Sequence, residues 1–525
     1  MTIDIPTITV ISLSILLLTT GISTSYANAT APIPLSQGLM LRDVIETTLK
    51  QQPSIGISRE QKIQSGGTIK LTRSEFDWEL SSNLNHGADY LPTGASTLHN
   101  KITYSLFDVG LIKKTYYGFS LGPALQLKKN ISDAAPGNGG TSAADTSMRL
   151  SFTLVLPLLQ GAGQTVGRSR GDAAELEYQA AKYELLHTIS QSVYEAINAY
   201  WRYVAAAERL QLAMAAEERA GSIVANTSSL VHADESPQAE LVSAEANLLE
   251  KKISREQAEL DLIEARQSLG VVMGAAPDES TNLLLPGNRL PAAGQNATVK
   301  WLIDQQRFIS GVARRNDLIA LIQRMKATEK LVIAAKDALK PKLDLVSAVG
   351  YDGYQTGDSG QKTIRTFENR QSYPDWSVGL RFSYPIGNNR AEGNYSIAVS
   401  QHAQSRIRML DLQRNIEISL RTSLQTLVNV AREIDTAERA VAAYRQSVDN
   451  EREKYQMGES TLFDLLFTQD KLESAHLSRI DACLRGALLL TRLHHESGQL
   501  LSCDGDACEL TQDAVAMFTA AGEAN

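Results

Sequence analysis

The sequence lacks the features that mark most enzymes, nucleic-acid-binding proteins and helical membrane proteins. No Ser-His-Asp arrangement or phosphate-binding loop stands out, and "HHES" at 494–497 lacks the second histidine of a zinc-protease helix. There is no basic cluster, and the formal net charge of −8 argues against nucleic acid as a partner. After residue 30 no apolar run is long enough for a transmembrane helix. We therefore expect no catalytic activity, no cofactor, no bound metal and no helical membrane bundle.

The first apolar run, residues 8–18, predicts a secretory signal peptide. It is shorter than the roughly 20 residues that span a bilayer as a helix. Ala27 and Ala29 occupy the −3 and −1 positions of a cleavage site before Thr30. We therefore expect residues 1–29 to be removed on export. Basic residues are missing before the run, so a membrane anchor stays open as the alternative.

Cysteine is scarce, with 3 residues in the chain. Cys503 and Cys508 lie close together near the end, and in an oxidising compartment they could close a small loop. A metal site that includes the neighbouring aspartates is the alternative. Cys483 stands alone in a helical stretch, where we expect a small packing residue. We expect the tail at 501–525 to be an irregular appendage.

The chain contains the same pattern twice. Residues 173–274 overlay residues 397–498 without a gap at a shift of 224, and earlier blocks match in the same order. Chance does not easily produce several matches in one order, so the sequence predicts two internal repeats. The matched residues include Leu80 with Leu343, Gly87 with Gly350, Pro157 with Pro385, and Gly274 with Gly498.

Each repeat predicts a helix, a strand, a loop, a second strand, a very long helix and a return helix. In repeat 1 (38–275) these elements are helix 41–72 with a break at Gln52-Pro53, strands 76–86 and 148–157, long helix 173–231 and return helix 237–270. In repeat 2 (301–500) they are helix 302–337, strands 342–350 and 376–385, long helix 395–456 and return helix 461–496. A linker at 276–300 joins the repeats.

Apolar residues in the long helices recur with the spacing of a coiled coil. Val193, Ile197, Tyr200 and Val204 are separated by 4, 3 and 4 residues. At 1.5 Å per residue, the helix over 173–231 would be roughly 85–90 Å long, which exceeds the diameter of a globular domain. The helical part of the chain therefore predicts a rod.

Apolar residues alternate with polar ones in the four predicted strands. In the first, Trp78, Leu80 and Leu84 alternate with polar residues, and a strand of about 10 residues can cross a bilayer at a tilt. A soluble sheet that covers a core could alternate in the same way. No nearby segment offers a face to cover the sheet, and an open sheet edge is not tolerated in lipid. Four strands are too few for a barrel, which needs about eight, so we expect copies of the chain to share one.

Residues 98–130 have no counterpart in the second repeat. Their pattern predicts a β-hairpin that turns near Tyr117 and Gly118. The hairpin either extends an extracellular loop or adds strands to the sheet, and both alternatives stay open.

The doubled order of elements, the signal peptide and turns such as "PLLQGAG" at 157–163 resemble the TolC family of outer-membrane channel proteins. The resemblance covers residues 38–500. It implies an α+β membrane protein that forms a homotrimer. In that fold a transmembrane 12-stranded β-barrel, with four strands per chain, is continuous with a long periplasmic α-helical coiled-coil barrel.

The resemblance also implies a function. Such a chain would be the outer-membrane exit duct of a tripartite efflux pump or a type I secretion system, and would conduct substrates passively. Its partners would be outer-membrane lipid, a periplasmic adaptor (membrane fusion) protein and an inner-membrane RND or ABC transporter. The substrate, and the choice between efflux and protein secretion, stay open. The alternative is a periplasmic coiled-coil structural or adaptor protein that does not enter the membrane.

In the family the hairpin tips close the periplasmic mouth, and "YQMGESTLFDLLFTQDKL" at 455–472 resembles that region. Tyr455, Gly458 and Asp464 match the family's Tyr, Gly and first Asp, and the internal shift places Glu240 at the equivalent position of repeat 1. The resemblance implies that carboxylates around a threefold axis form a ring that attracts cations. The candidates for this constriction are Asp464, Glu240, Tyr455 and Asp470. The candidates for adaptor contact at the tips are Gly458, Glu459, Ser460, Ser236 and Pro237.

The tip sequence also departs from the family pattern. Ser460 stands where the best-known members have an Arg that bonds across the closed mouth, and Phe467 replaces the second Asp. Asp470 or Glu473 could substitute for that Asp. The alternative interpretation is helix capping, with Thr461-x-x-Asp464 as a capping box and Ser236-Pro237 as an N-cap and first-turn pair.

Overall fold

The computed structural model describes residues 38–92, 99–133, 143–291, 315–356, 373–504 and 507–512. The predicted signal peptide at 1–29 lies outside the described residues. So does the first part of the helix predicted at 302–337, up to residue 314.

Two helices precede the sheet. Helix α1 is Leu41–Gln51 and helix α2 is Pro53–Arg73. Gln52 between them is extended, with φ −65° and ψ 119°, because a proline ring disfavours the helical conformation of the residue before it. A single 3-10 turn, Ser74–Phe76, then leads into the first strand.

Four long helices form two hairpins of nearly equal length. The first helix ends at residue 232 in one hairpin and at 456 in the other, and the second helix begins at 238 and at 462. Both differences are 224 residues, which is the shift found in the sequence. At 1.5 Å per residue the longest helix extends about 100 Å. Among the described residues, no helix combines the length and the apolar character needed to cross a membrane. The bounds are α3 Gln164–His232, α4 Gln238–Met273, α5 Pro277–Thr281, α6 Asn316–Asp337, α7 Asn389–Gln456 and α8 Leu462–Glu496.

The helices α3 and α7 begin earlier than the predicted positions 173 and 395. Their first turns are polar and contain glycine, so apolar periodicity cannot mark them. The turns that precede them set the starts instead. Gly163 has φ 95° and Asn388 has φ 37°, conformations that end the preceding segment and that glycine and asparagine adopt most readily.

A hydrophobic core surrounds the middle of α3. Tyr200, Trp201 and Tyr203 are fully buried there, against side chains of α1, α4, α7 and α8. The Tyr200 hydroxyl lies 2.9 Å from the Leu39 carbonyl oxygen and 2.6 Å from Oδ1 of Asn288. The prediction that the coiled-coil positions of this helix form a core is confirmed, since each is at most 1% exposed. These positions are Val193, Ile197, Tyr200 and Val204.

Six strands form one antiparallel sheet, where the sequence predicted four. Their order in the sheet follows the chain, from β1 to β6. The prediction of four strands per chain is wrong because the segment at 98–130 adds a pair of strands, which was one of the two alternatives for that segment. The strands have 11 to 16 residues and are β1 Trp78–Pro92, β2 His99–Lys114, β3 Ser120–Asp133, β4 Ala143–Pro157, β5 Lys342–Thr356 and β6 Tyr373–Ser383.

The two faces of this sheet differ in polarity. The pairing registers place most of the large apolar side chains of the six strands on one face, which we call the apolar face; on β2, Ile102, Leu106 and Ile112 lie on the other face. Many of them are open to solvent in the single chain; Leu84, Trp376 and Phe382 are 73%, 77% and 66% exposed. The opposite, polar face holds most of the charged and small residues. The apolar face includes Leu80, Leu84, Phe107, Val109, Leu111, Leu121, Leu125, Leu127, Leu150, Phe152, Leu154, Val349, Val378, Leu380 and Phe382.

The chain after α8 forms a short hairpin, where we expected an irregular tail. A disulfide joins Cys503 and Cys508, as their spacing predicted. Cys508 packs with Ile55 and Leu185, which attaches the tail to α2 and α3. Cys483 is a buried free cysteine in the core, as expected of a packing residue. The strands of this hairpin are β7 Leu501–Asp504 and β8 Ala507–Leu510.

Candidate functional site at the hairpin tips

The turn between α7 and α8 is built on a glycine. Gly458 has φ 75°, the left-handed conformation that commonly ends a helix. Its N–H donates to the carbonyl of Tyr455 at 3.1 Å, and the N–H of Glu459 donates to the carbonyl of Lys454 at 2.9 Å. These two bonds form a Schellman motif, which satisfies the last carbonyls of α7 and reverses the chain.

The turn between α3 and α4 has the same geometry with a different residue. Asp234 takes the left-handed position with φ 56°. Its N–H donates to Val231 at 3.1 Å, and the N–H of Glu235 donates to Leu230 at 2.9 Å. The two tips are therefore built alike, but this one carries the strain of a side chain at positive φ.

Glu240 and Tyr455 lie close enough for electrostatic interaction between the two tips. Burial raises the pKa of the Tyr455 hydroxyl, the Glu240 carboxylate raises it further, and a hydrogen bond with Thr227 on α3 opposes both. The Ser236 hydroxyl donates to the Glu240 carboxylate at 2.7 Å. Ser236 is not the N-cap that we predicted, since Pro237 occupies the N-cap and α4 begins one residue later.

Asp464 lies in the first turn of α8 and is exposed. Thr461 is the N-cap of this helix, and its hydroxyl oxygen accepts a hydrogen bond from the Asp464 N–H at 3.2 Å. The Thr461 hydroxyl lies 2.6 Å from the Asp464 carboxylate. The N-cap role predicted for Thr461 is therefore confirmed, and the Asp464 carboxylate interacts with the Thr461 hydroxyl.

The positions that depart from the family pattern have partners within their own hairpin. The Ser460 hydroxyl donates to the carboxylate of Glu451 on α7. The ring of Phe467 stacks on Phe463 with centroids 6.4 Å apart, and the Lys471 ammonium lies 5.1 Å from the Phe467 ring. Neither Ser460 nor Phe467 reaches the first hairpin through these contacts.

One link between the two hairpins that sequence reasoning missed is Lys251 on α4. Its ammonium donates to Asp470 at 2.7 Å and to Glu473 at 2.8 Å, both on α8. The Lys251 side chain is 12% exposed and that of Glu473 is 15% exposed. Asp470, predicted as a constriction residue, is thus engaged in an ion pair in the single chain. Since Lys251 belongs to no local motif, nothing in the sequence marked it.

A second charged cluster lies on the polar face of the sheet. Arg149 on β4 donates to Asp352 on β5 at 3.2 Å and to Asp375 at the start of β6. One guanidinium therefore bridges three strands. On β2 and β3, Asp108 accepts from the Gln126 amide at 2.9 Å.

The family model for outer membrane efflux proteins matches residues 311–489. The matched segment includes α6, β5, β6, α7 and most of α8. This match agrees with the resemblance found in the sequence, which implied a channel. Sequence comparison with curated proteins finds no match.

The whole described fold is similar to those of solved outer-membrane channels. The CmeC outer membrane channel of Campylobacter jejuni has a TM-score of 0.62 and 14% identity, over 92% of this chain and 89% of that one. The outer membrane protein VceC of Vibrio cholerae has a TM-score of 0.64 and 15% identity, over 87% and 96%. The MtrE outer membrane channel of Neisseria gonorrhoeae has a TM-score of 0.59 and 16% identity, over 87% and 88%. The resemblance to the TolC family is thereby confirmed, and the chain has a TolC-like fold.

Proposed function

We propose that this protein is an outer-membrane exit duct, exported after removal of residues 1–29. As a homotrimer it conducts substrates passively across the periplasm and the outer membrane. It works with a periplasmic adaptor and an inner-membrane RND or ABC transporter, in an efflux pump or a type I secretion system. The transporter supplies the energy and selects the cargo.

The observation that carries this proposal is the apolar face of the sheet. Many of its side chains are exposed in the single chain, and hydrocarbon would remove them from water. Within the described residues, β1 and β6 are each paired on one side only. Lipid does not tolerate such open edges, so neighbouring copies must pair with them. The family match and the TolC-like fold support the same conclusion.

A pair of adjacent substitutions on β1 tests the membrane assignment. Leu84→Lys places a charge on the apolar face, where lysine costs about 2–4 kcal/mol near the bilayer centre. Asn83→Lys, on the polar face, is the matched control. We expect the first variant to lose trimer and outer-membrane recovery and the second to retain both. Wild-type protein that stays monomeric in plain buffer after osmotic shock would overturn the proposal in favour of a soluble periplasmic rod.

We further propose that the tips form a cation-preferring mouth. In a trimer, Asp464 and Glu240 contribute six carboxylates near the threefold axis, and such rings attract cations in other pores. The combined variant Asp464→Asn with Glu240→Gln should lower the permeability ratio of K⁺ to Cl⁻ several-fold in planar bilayers. Glu60→Gln, at an exposed position on α2, should leave it unchanged. Unaltered selectivity in the combined variant would contradict the proposal of a cation-preferring mouth, but not the proposal that the protein is an exit duct.

Adaptor contact is proposed at the same tips, around Gly458, Glu459, Ser460, Ser236 and Pro237. Exposed apolar side chains beside these residues support it, since Met457 is 66% exposed and Phe463 is 74% exposed. Phe463→Ser should reduce co-purification with the adaptor, whereas Ile407→Ser, at a position on α7 that is 65% exposed, should not. Equal recovery of the adaptor with both variants would place the contact elsewhere.

A further inference from the structure

We propose that β2 and β3 form part of the membrane wall, so that each subunit supplies six strands and three subunits close a barrel of 18 strands. This inference rests on the proposed trimeric channel. It concerns the segment at 98–130, which repeat 2 lacks.

The first observation that supports this arrangement is the pairing of the strands. β1 pairs with β2 along its whole length, from Trp78 with Lys113 to Pro92 with His99. β3 pairs with β4 from Ser120 to Ser132. β1 and β4 are therefore separated by two intervening strands, a distance of about 14 Å at the usual strand spacing. A four-stranded subunit would instead need β1 and β4 to be neighbours.

The side chains of the inserted strands are the second observation that supports the six-stranded arrangement. Phe107, Val109 and Leu111 on β2 lie on the same face as Leu84 on β1, while Ile102, Leu106 and Ile112 of β2 lie on the opposite face. Leu121, Leu125 and Leu127 on β3 continue this face to Leu150 and Phe152 on β4. A hairpin that projected into water would gain nothing from such a belt, because its apolar side chains would stay hydrated. Asp108 and Gln126 pair on the opposite face, with the other polar groups.

The ends of the belt fit a bilayer. Lys113 follows Leu111 on the same face of β2, at the end of the strand near the helices. Its ammonium lies 5.3 Å from the Trp78 ring. Lys101 and Lys129 stand on the same face beyond the other end. Long basic side chains and aromatic rings are the residues that commonly border the hydrocarbon region.

The turn between β2 and β3 is attached to the helical end of the sheet. The N–H of Gly163, just before α3, donates to the Tyr117 carbonyl at 3.1 Å. The Tyr116 ring lies 4.3 Å from the Phe76 ring and 5.3 Å from the Arg168 guanidinium. Both strands therefore run the full height of the sheet, and the turn lies opposite the loops expected outside the cell.

The strand number sets the width of the duct in the membrane. With strands about 4.8 Å apart and tilted by about 40°, 18 strands give a barrel diameter of about 36 Å between backbones, against about 24 Å for 12 strands. The polar face would then line a lumen as wide as that of a large porin. Closure at the hairpin tips, rather than the barrel, would limit passage.

Spin labels on single cysteines test the inference in the detergent-solubilised or reconstituted assembly. Cys483→Ala removes the free thiol first. Labels at Phe107, Val109, Leu125 and Leu127 should collide with oxygen in lipid, and labels at Asp108, Ala124 and Gln126 with a water-soluble nickel complex. Leu150 and Ser151 on β4 are the matched controls for the two faces.

The outcomes separate this inference from the proposed function. We expect the labels on β2, β3 and β4 to alternate between contact with lipid and contact with water, and a density map of the trimer to show 18 strands. Alternation on β4 alone, or a 12-stranded trimer, overturns the inference and leaves the channel intact. If no label at any position contacts lipid, both this inference and the proposed channel function are wrong.

Discussion

The ammonium of Lys251 on α4 lies 2.8 Å from the Glu473 carboxylate on α8 and 2.7 Å from Asp470. Burial by itself would lower the pKa of Lys251, but the hydrogen bonds that its ammonium donates to the two carboxylates, and the charges of those carboxylates, outweigh burial and raise the pKa. The lysine therefore stays charged, and it holds the first hairpin against the second. Tyr455 with Thr227, and Arg209 with Asp481, also join the two hairpins.

Removal of this lysine should loosen the contact between the hairpins. Lys251→Met leaves two carboxylates facing each other, a loss of about 1–3 kcal/mol, which is below the value for a fully buried pair because Asp470 is half exposed. We expect more frequent or longer openings in planar-bilayer recordings. Arg421→Gln, which breaks an exposed pair within α7, is the control and should behave as wild type. Unchanged gating in Lys251→Met would show that the pair does not restrain the mouth.

The pH dependence of this contact follows from the raised pKa of Lys251. The stability that the pair contributes is complete below the ordinary lysine pKa of about 10.4, and is lost as pH rises through the higher value in the folded protein. Wild-type gating should therefore not change through loss of the lysine charge between pH 7 and 9. Lys251→Arg should preserve the closed state over the same range. Opening of the wild type at pH 9, with Lys251→Arg still closed, would contradict the assignment.

The two tips should respond oppositely to substitutions at their left-handed residues. Gly458→Ala should destabilise its tip by about 1 kcal/mol because a Cβ is unfavourable at φ 75°. Asp234→Gly should relieve the strain at φ 56° and be neutral or slightly stabilising. Hydrogen exchange of the amides of Glu459 and Glu235 measures each effect locally. Equal protection in both variants would contradict the tip geometry.

His495 on α8 should make the protein sensitive to acid. Burial lowers the pKa of His495 to about 3, the charges of Arg315 and His187 act in the same direction, and Asp317 opposes them. A neutral histidine therefore contributes stability that is complete above the unfolded pKa of about 6.5 and is lost as pH falls toward 3. The melting temperature should fall between pH 7 and 5.

A substitution separates this effect from the titration of carboxylates over the same range. In His495→Gln the fall in melting temperature between pH 7 and 5 should be smaller than in the wild type, since glutamine does not titrate. The stacking of His495 on Tyr194, with centroids 4.6 Å apart, is also lost, so the variant should be less stable at pH 7. An identical pH dependence in both proteins would reject the role of His495.

The buried hydroxyl of Tyr200 should stabilise the core around α3. Tyr200→Phe removes its contacts with Leu39 and Asn288 and should cost about 1–2 kcal/mol. Tyr117→Phe, at a residue that is 59% exposed, is the control and should cost little. Thermal unfolding of the two variants in the same detergent measures the difference. A loss no greater than that of the control would contradict the predicted contribution.

Patterns with a local origin were readable in the sequence. The spacing of Val193, Ile197 and Tyr200 marks a helix face because 3.6 residues complete a turn, and its burial depends on the same geometry. The glycine at position 458 marks a helix end because other residues avoid positive φ. Where the local pattern is weak, as in the polar first turns of α3, the boundary was missed.

The placement of the inserted hairpin shows what sequence could not supply. Its alternation predicted two strands and a turn near Tyr117, but hydrogen bonds between strands depend on neighbours distant in the chain. Only the register of β1 with β2, and of β3 with β4, inserts the pair into the sheet. The interaction of Lys251 with Glu473 has the same origin, since two residues on separate helices meet only when the hairpins pack.

The sequence by itself thus predicted the long helices and most of the strands, because these depend on dihedral preferences and side-chain periodicity within short segments. The tertiary structure decided how many strands the sheet contains, which charges join the hairpins and which hydroxyls are buried. Such features arise from contacts between segments up to hundreds of residues apart, and those contacts exist only after the whole chain has folded.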